Sequence, residues 1–171
     1  MKKLIFLITI LLFSVLNSFS QKYAYVNTDY ILSNIPKYES AQEQLNLISN
    51  EWQKEIEDLY NELDKMNKEY LAEEVLLTDE MKVSRKKQIT EKEKKVRDLQ
   101  KKRFGQNGDL FKKRQELIKP IQDDIFNAIK ELAVESNYAV IFDSAGSLSM
   151  LYTDPKYDKS DEILKKLGFE N

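Results

Sequence analysis

Cysteine and histidine are both absent from this chain of 171 residues. Their absence excludes disulfide bonds, a thiol nucleophile, a lipid-modified cysteine, and the imidazole groups of most catalytic triads and zinc sites. No Gly-rich phosphate-binding loop is present either. We therefore expect no enzyme activity, no metal and no cofactor. With four glycines, three prolines and 33% charged residues, the composition favours long solvated helices over a compact globule.

The first 20 residues, "MKKLIFLITILLFSVLNSFS", have the features of a secretory signal peptide. Lys2 and Lys3 precede an apolar run over residues 4–13, and small residues at Ser18 and Ser20 suit cleavage near Ser20 and Gln21. The alternative is an uncleaved membrane anchor, but the run is shorter than the roughly 20 residues that span a bilayer. We expect an exported chain that is held together by packing or assembly instead of disulfides.

Residues 37–118 carry the pattern of a helical hairpin. Apolar residues recur at spacings of three and four between residues 45 and 77, which predicts one narrow stripe on a long helix. Thr78, followed by Asp79 and Glu80, suits the N-cap of a second helix. The tip of the hairpin is therefore expected at residues 75–78, where Val75, Leu76, Leu77 and Met81 either cap the turn or form a docking patch.

The two halves of this hairpin have opposite charge. Residues 51–80 contain 11 acids and 3 bases, whereas residues 81–119 contain 15 bases and 5 acids. Folding back at Thr78 brings the two signs together, so we interpret the basic run 81–103 as a paired, solvated helix face and not as a site for nucleic acid. Exposed pairs are worth about 0 to 1 kcal/mol each, so they set orientation more than stability.

Short strands flank the hairpin in sequence. Residues 23–27, in "KYAYVNTDYIL", have strand character, and "YAVIFDS" (138–144), an Ala145-Gly146 turn and "LSMLYT" (148–153) predict a strand hairpin. The first strand is expected to pair with this hairpin. "DKSDEILKKLG" then predicts a last helix with Ser160 or Asp158 as its cap. Asp154, Asp158, Asp161 and Glu162 do not have the spacing of an EF-hand, so we interpret them as turn and cap residues and not as a calcium site.

The sequence thus predicts an α+β fold. A β-rich body (residues 21–36 and 119–171) contains three strands per chain, and the hairpin arm (residues 37–118) is inserted between strand 1 and strands 2 and 3. Three strands make a core too small for such an arm, and their sheet keeps free edges. Oligomerisation that closes several such sheets into a small β-barrel would remove both problems.

The chain resembles the Skp (OmpH-like) family of periplasmic chaperones. The stretches "YVNTDYIL", "KRQELIKPIQDDIFNAIKELAVESNYAVIFD" and "LYTDPKYDKSDEILKKLG" carry the resemblance, in this order and with a charged hairpin between the first two. The resemblance implies a homotrimer in the periplasm of a Gram-negative bacterium. Its arms would enclose a cavity that holds unfolded outer-membrane proteins without ATP. The best-known members are strongly basic and this chain is not, which argues against carrying over contact with lipopolysaccharide or anionic lipid.

We therefore predict a holdase chaperone; the alternative is a coiled-coil spacer or adaptor of the cell envelope. The aromatic residues of the arm that could contact clients are Trp52, Tyr60, Tyr70, Phe104 and Phe111, although Trp52 also suits the apolar stripe. The candidates for the core of the body and its oligomer are Val26, Ile121, Ile125, Ile129, Val140, Phe142 and Leu151. The hinge candidates are Gly105, Gly108 and Pro120. The two glycines mark either a hinge or a frayed but rigid helix, and Pro120 either kinks one helix, which we favour, or separates two.

Overall fold

The computed structural model describes residues 21–146 and 150–169, so the predicted signal peptide lies outside the described residues. The described residues fall into two compact units. We call residues 21–34 and 125–169 the sheet unit and Ile35–Asp124 the hairpin unit. In chain order the elements are β1 (Lys22–Val26), α1 (Thr28–Ser33), α2 (Pro36–Glu73), a 3₁₀ helix (Glu74–Leu76), α3 (Asp79–Phe104), α4 (Asp109–Ser136), β2 (Tyr138–Asp143), a second 3₁₀ helix (Pro155–Tyr157) and α5 (Ser160–Lys166). Among these described helices, none is long and apolar enough to cross a membrane.

The sheet unit is built on two strands that are far apart in sequence. β1 pairs with β2 in parallel, with Tyr23 opposite Val140 and Tyr25 opposite Phe142. The predicted pairing of the first strand with the C-terminal segment is therefore confirmed. Ala24 and Val26, on the other side of β1, are buried. Alternation along β1 thus directs one set of side chains into the unit and leaves the tyrosine face outside.

The prediction of three strands is wrong for the part of the third strand that is described. Residues 147–149 lie outside the described residues, and residues 150–153 form no strand. Instead, Asp154 accepts a hydrogen bond from the Lys156 amide (3.2 Å), and Pro155 begins a 3₁₀ helix. This turn takes the chain to a single bridge between Asp158 and Tyr25, where the Lys159 amide donates to the Tyr25 carbonyl (2.9 Å). The turn at Asp154-Pro155 therefore directs the chain away from a third strand, although apolar and polar residues alternate before it.

Two short helices and a polar network complete the sheet unit. Asn27 caps α1, because its side chain accepts from the Tyr30 amide (3.0 Å), and α1 packs against α5. Asp158 accepts from the Ser160 amide (2.9 Å), and Gly168 ends the last helix with φ of 85°. The predicted last helix is confirmed, but neither Ser160 nor Asp158 is its N-cap: that position is Lys159, Ser160 is the first helical residue, and Asp158 lies one residue before the cap. Ser160, which is buried, accepts from the Asn27 amide (2.8 Å), so it has the partner that a buried hydroxyl needs.

In the hairpin unit, α2 and α3 pack against each other as the predicted hairpin. The residues between them, which we call the seam, are buried or half-buried: Trp52, Ile56, Leu59, Leu63, Met66 and Tyr70 on α2, and Ile89, Val96 and Leu99 on α3. At the tip, α2 ends at Glu73, four residues earlier than its apolar stripe suggested. Thr78 caps α3 by accepting from the Met81 amide (3.3 Å). The predicted tip is confirmed.

The helix that follows the tip is interrupted once. α3 ends at Phe104 and α4 begins at Asp109, with Asn107 at a φ of 59°. A Cβ atom on Gly105 would lie 2.3 Å from the Lys101 carbonyl oxygen, so only glycine fits there without movement. The glycines therefore mark a break between two helices, and the hinge at this point stays a prediction.

Pro120 lies inside α4, which continues from Asp109 to Ser136. The alternative in which Pro120 separates two helices is therefore wrong. Its neighbours Ile118 and Ile121 are buried at 6% and 2% exposure. Packing of these side chains offsets part of the cost of a proline that donates no backbone hydrogen bond.

Candidate functional site

The first aromatic cluster of the hairpin unit lies beside the helix break. The Trp52 ring contacts Phe104 edge to face (6.3 Å between centroids), and the Arg103 guanidinium stands 4.5 Å from the Trp52 ring. Arg103 also pairs with Asp109 (3.0 Å) and Glu55 (3.4 Å), so it links α3 to both α2 and α4. Its Nε is buried and has no partner among the described residues. Trp52 is thus part of the seam. Because it is the one tryptophan of the chain, a measurement of tryptophan fluorescence would report on this cluster.

Tyr70 is not exposed to a client in this structure. It is 7% exposed, its hydroxyl donates to Glu74 (2.7 Å), and the Lys86 ammonium lies 5.5 Å from its ring. Burial and the hydrogen bond to the Glu74 carboxylate raise the pKa of the Tyr70 phenol. The aromatic stripe read from the sequence therefore placed Tyr70 on the correct helix but gave it a role that its burial does not favour.

Tyr60 and Phe104 line an open groove of about 410 Å³. The Tyr60 hydroxyl donates to Gln100 across the hairpin (3.0 Å), and Tyr60 is 40% exposed. The groove is lined by Gln53, Ile56, Glu57, Tyr60, Asn61, Gln100 and Phe104. Phe111, the remaining aromatic candidate, is also exposed but is not among these residues. The groove thus brings together two of the five candidates.

Ion pairs link α2 to α3, as the opposite charges of the two segments predicted. Glu73 pairs with Arg85 (3.6 Å), Glu62 with Lys92, and Glu55 with Arg103. These side chains are partly exposed, so each pair contributes little stability. The pairs instead specify how α2 and α3 are aligned along their length, because each acid pairs with one particular base of the facing helix.

Several large apolar side chains of the hairpin unit have little cover. Leu71 and Val83 are each 68% exposed, and Leu47 is 64% exposed. At the tip, Val75, Leu76 and Met81 are exposed as well, so these three do not pack as a cap over the turn. Leu71 and Val83 were missed as client-contact candidates from the sequence. The sequence feature that could have identified them is an apolar residue that stands beside the three-and-four stripe and not within it.

The outer face of the sheet is also apolar. Tyr23, Val140 and Phe142 are 58%, 47% and 40% exposed, and the Tyr157 ring approaches Tyr23 (6.3 Å). Of the predicted body residues, Val26, Ile121 and Ile125 are buried and Ile129 is half-buried, whereas Leu151 is fully exposed. The candidates therefore divide into a core within one chain and a set of uncovered side chains.

The acidic residues near the C-terminus behave as turn residues. Asp154 and Asp158 accept from backbone amides, and Lys156 holds the pKa of the Asp154 carboxyl below its ordinary value through a side-chain hydrogen bond. Within residues 21–146 and 150–169, no group of three or more acidic side chains has the geometry to hold a metal ion.

Comparison with known proteins agrees with this architecture. The family model "Outer membrane protein (OmpH-like)" matches residues 22–167. No curated protein matches significantly. The crystal structure of a protein described as an OmpH-like outer membrane chaperone, from Caulobacter crescentus CB15, matches with a TM-score of 0.68 over 86% of this chain and 84% of that chain. Their sequences are 11% identical, so this likeness shows a shared fold. Because the family model covers both units, this chain belongs to the OmpH-like family.

Proposed function

We propose that this chain is an ATP-independent holdase chaperone for unfolded outer-membrane β-barrel proteins. The observation that carries the proposal is the set of exposed apolar side chains scattered over a charged helical hairpin. Scattered apolar residues offer many weak contacts without a shaped pocket, which suits a chain that has no fixed conformation. Family membership and the chaperone description of the Caulobacter protein support the same proposal.

We further propose that the sheet unit assembles the chain into a homotrimer. Tyr23, Val140 and Phe142 make its outer face apolar, and among the described residues the sheet ends after two strands. An open two-stranded sheet with an apolar face is marginal in water, and joining several copies would cover the face and pair the edges. In this proposal residues 21–36 and 119–171 form the shared body, closed as a small barrel, and residues 37–118 form the arms.

The site of action in this proposal is the periplasm. Export follows from the features of residues 1–20, and family membership agrees with that compartment. The clients are unfolded β-barrel proteins, which expose alternating apolar residues and aggregate in water. Catalysis, cofactors and nucleic acid have no role in it. The chain as a whole is not basic, which argues against carrying over contact with lipopolysaccharide from strongly basic relatives.

The test is to dilute a urea-unfolded outer-membrane β-barrel protein into buffer with the mature chain and to follow light scattering. We expect scattering to be suppressed at about one trimer per client, and suppression to weaken as matched heptads are removed from α2 and α3 around the tip. A lysozyme control at equal mass should leave aggregation unchanged. Full aggregation in the presence of the intact oligomer would refute the holdase proposal.

The second candidate function is a spacer or adaptor that docks through its tip. The observation that favours it is the exposure of Val75 (89%) and Leu76 (82%) at one end of the hairpin. Replacing Val75 and Leu76 by serine separates the two candidates. A docking rod would lose all partner binding, whereas a holdase should retain most of its suppression because its contacts are spread along the arm.

A further inference from the structure

The two long sides of the α2–α3 hairpin differ in chemistry. On one side lie the ion pairs of Glu55, Glu62 and Glu73 with Arg103, Lys92 and Arg85. In this order the acids are separated by seven and then eleven residues, and the bases by eleven and then seven. Both intervals return a helical side chain to nearly the same side of its helix. The three pairs therefore line one side of the hairpin, which we call the paired face.

The opposite side can be assigned from position relative to the seam. Glu55 and Glu62 each immediately precede a seam residue, whereas Tyr60 and Gln100 immediately follow Leu59 and Leu99. In an antiparallel pair of helices, one step forward from the seam turns the side chains of both helices to the same side. The hydrogen bond between Tyr60 and Gln100 (3.0 Å) agrees with this geometry. We call this side the open face.

Exposed apolar residues and the groove share the open face. Leu71 follows the seam residue Tyr70 and lies eleven residues after Tyr60, and Val83 lies three heptads before Phe104. Leu71 and Val83 are each 68% exposed, and Tyr60 and Phe104 line the groove of about 410 Å³. Leu47 and Met81, by contrast, precede the half-buried residues Ile48 and Lys82, which places them toward the paired face.

We propose that the open face is the side of the hairpin that contacts the unfolded client, and that the paired face does not. This inference rests on the proposed holdase function and adds which surface performs it. The paired face has its charges satisfied by each other, so an apolar segment gains little there and would disturb the pairs. The open face offers Tyr60, Leu71, Val83 and Phe104 at separated positions.

The occupant that fits this face is an extended chain in which apolar and polar residues alternate. Together, the four apolar side chains expose roughly a few hundred Å², whereas a stable protein interface buries about 1,200–2,000 Å². Polar residues Asp64 and Asn67 lie between Tyr60 and Leu71, so a helix of a second copy would find no continuous apolar stripe. An extended segment can place alternate side chains at such separated sites in several registers.

A photo-crosslinking experiment tests the assignment with a matched control. A benzophenone amino acid replaces Leu71 in one sample of the full mature chain and Leu47 in another. Both leucines lie on α2, and they are 68% and 64% exposed. The probe is a urea-unfolded eight-stranded outer-membrane β-barrel protein, diluted in and irradiated. We expect client adducts at position 71 to exceed those at position 47 by roughly five-fold, as loss of one burial site implies.

Two results of this experiment would overturn the inference. One is an equal or greater yield of client adducts at position 47. The other is an adduct at position 71 that joins two copies of this chain in place of the client. The first would mean that both faces are used, and the second would mean that the open face is an interface between copies.

A pair of double variants gives an independent readout. Leu71→Gln with Val83→Gln should raise the amount of protein needed to suppress aggregation by roughly three- to ten-fold, whereas Leu47→Gln with Met81→Gln should change it less than about two-fold. Circular dichroism confirms that both are folded. If wild type suppresses aggregation and the two variants behave alike, the face assignment is wrong but the holdase function stands. If wild type itself fails to suppress aggregation, both the holdase function and the face assignment are refuted.

Discussion

Gly105 offers the sharpest test of how the second half of the hairpin unit is built. The Gly105 amide donates to the Lys101 carbonyl (2.8 Å), and a Cβ atom on Gly105 would approach the same oxygen to 2.3 Å. The obstacle is backbone, so no side-chain rotation relieves it. Gly105→Ala must therefore move the end of α3 or break the hydrogen bond that closes it.

The size of the effect follows from three terms. Forced overlap costs about 1–3 kcal/mol, and the lost hydrogen bond about 1 kcal/mol. Replacing glycine restricts the unfolded chain and returns about 0.4–1 kcal/mol. The net loss in unfolding free energy is about 2 kcal/mol. At about 2–4 °C per kcal/mol for a chain of this size, the melting temperature should fall by about 4–8 °C.

Thermal unfolding followed by circular dichroism at 222 nm measures this shift, at one fixed chain concentration because assembly stabilises the folded state. Gly146→Ala is the matched control, because its Cβ would lie 3.9 Å from the nearest atom, the Asp143 oxygen. We expect that variant to melt within about 2 °C of wild type. If Gly105→Ala melts at or above the wild-type temperature, glycine is not what permits the break between α3 and α4.

Three further predictions concern other parts of the fold. Arg103→Met should lower the unfolding free energy by about 1–2 kcal/mol, because it removes the pairs with Asp109 and Glu55 and the contact with Trp52. It should also shift Trp52 fluorescence to longer wavelength, and unchanged emission would contradict the contact between Arg103 and Trp52. Thr78→Ala should cost about 1 kcal/mol by removing the cap at the tip, whereas Thr90→Ala, within α3, should cost less than about 0.5 kcal/mol; equal losses would argue against the cap. Val140→Asp should dissociate the oligomer while leaving helical circular dichroism intact, since it places a charge on the apolar sheet face; an intact oligomer by light-scattering mass would exclude that face from assembly.

The sequence predicted those features whose causes are local or repeated. Thr78 followed by two acids specifies a helix start wherever the chain folds, and the three-and-four stripe of α2 requires a facing helix. The partner of β1 could be predicted as well, because an unpaired strand must find another and residues 138–144 were the richest candidate. Each of these inferences depended on one physical requirement with few ways to satisfy it.

The features that escaped prediction involve competition between signals. Residues 150–153 alternate like a strand, but the Asp154-Pro155 turn follows at once and takes the chain out of the sheet. Tyr70 could have faced outward or inward on sequence alone, and its hydroxyl found Glu74 within a buried site. The open face was missed because Leu71 and Val83 stand beside the stripe, and exposure depends on the facing helix.

The mass of the complex formed with a client is the most direct measurement of the proposed chaperone function. The purified mature chain is mixed with one urea-unfolded outer-membrane β-barrel protein, diluted into buffer, and weighed by native mass spectrometry. We predict a species of three copies of this chain and one client, with the three-copy species present before the client is added. A monomeric chain, or a trimer that never carries a client while the client aggregates, would contradict the proposal.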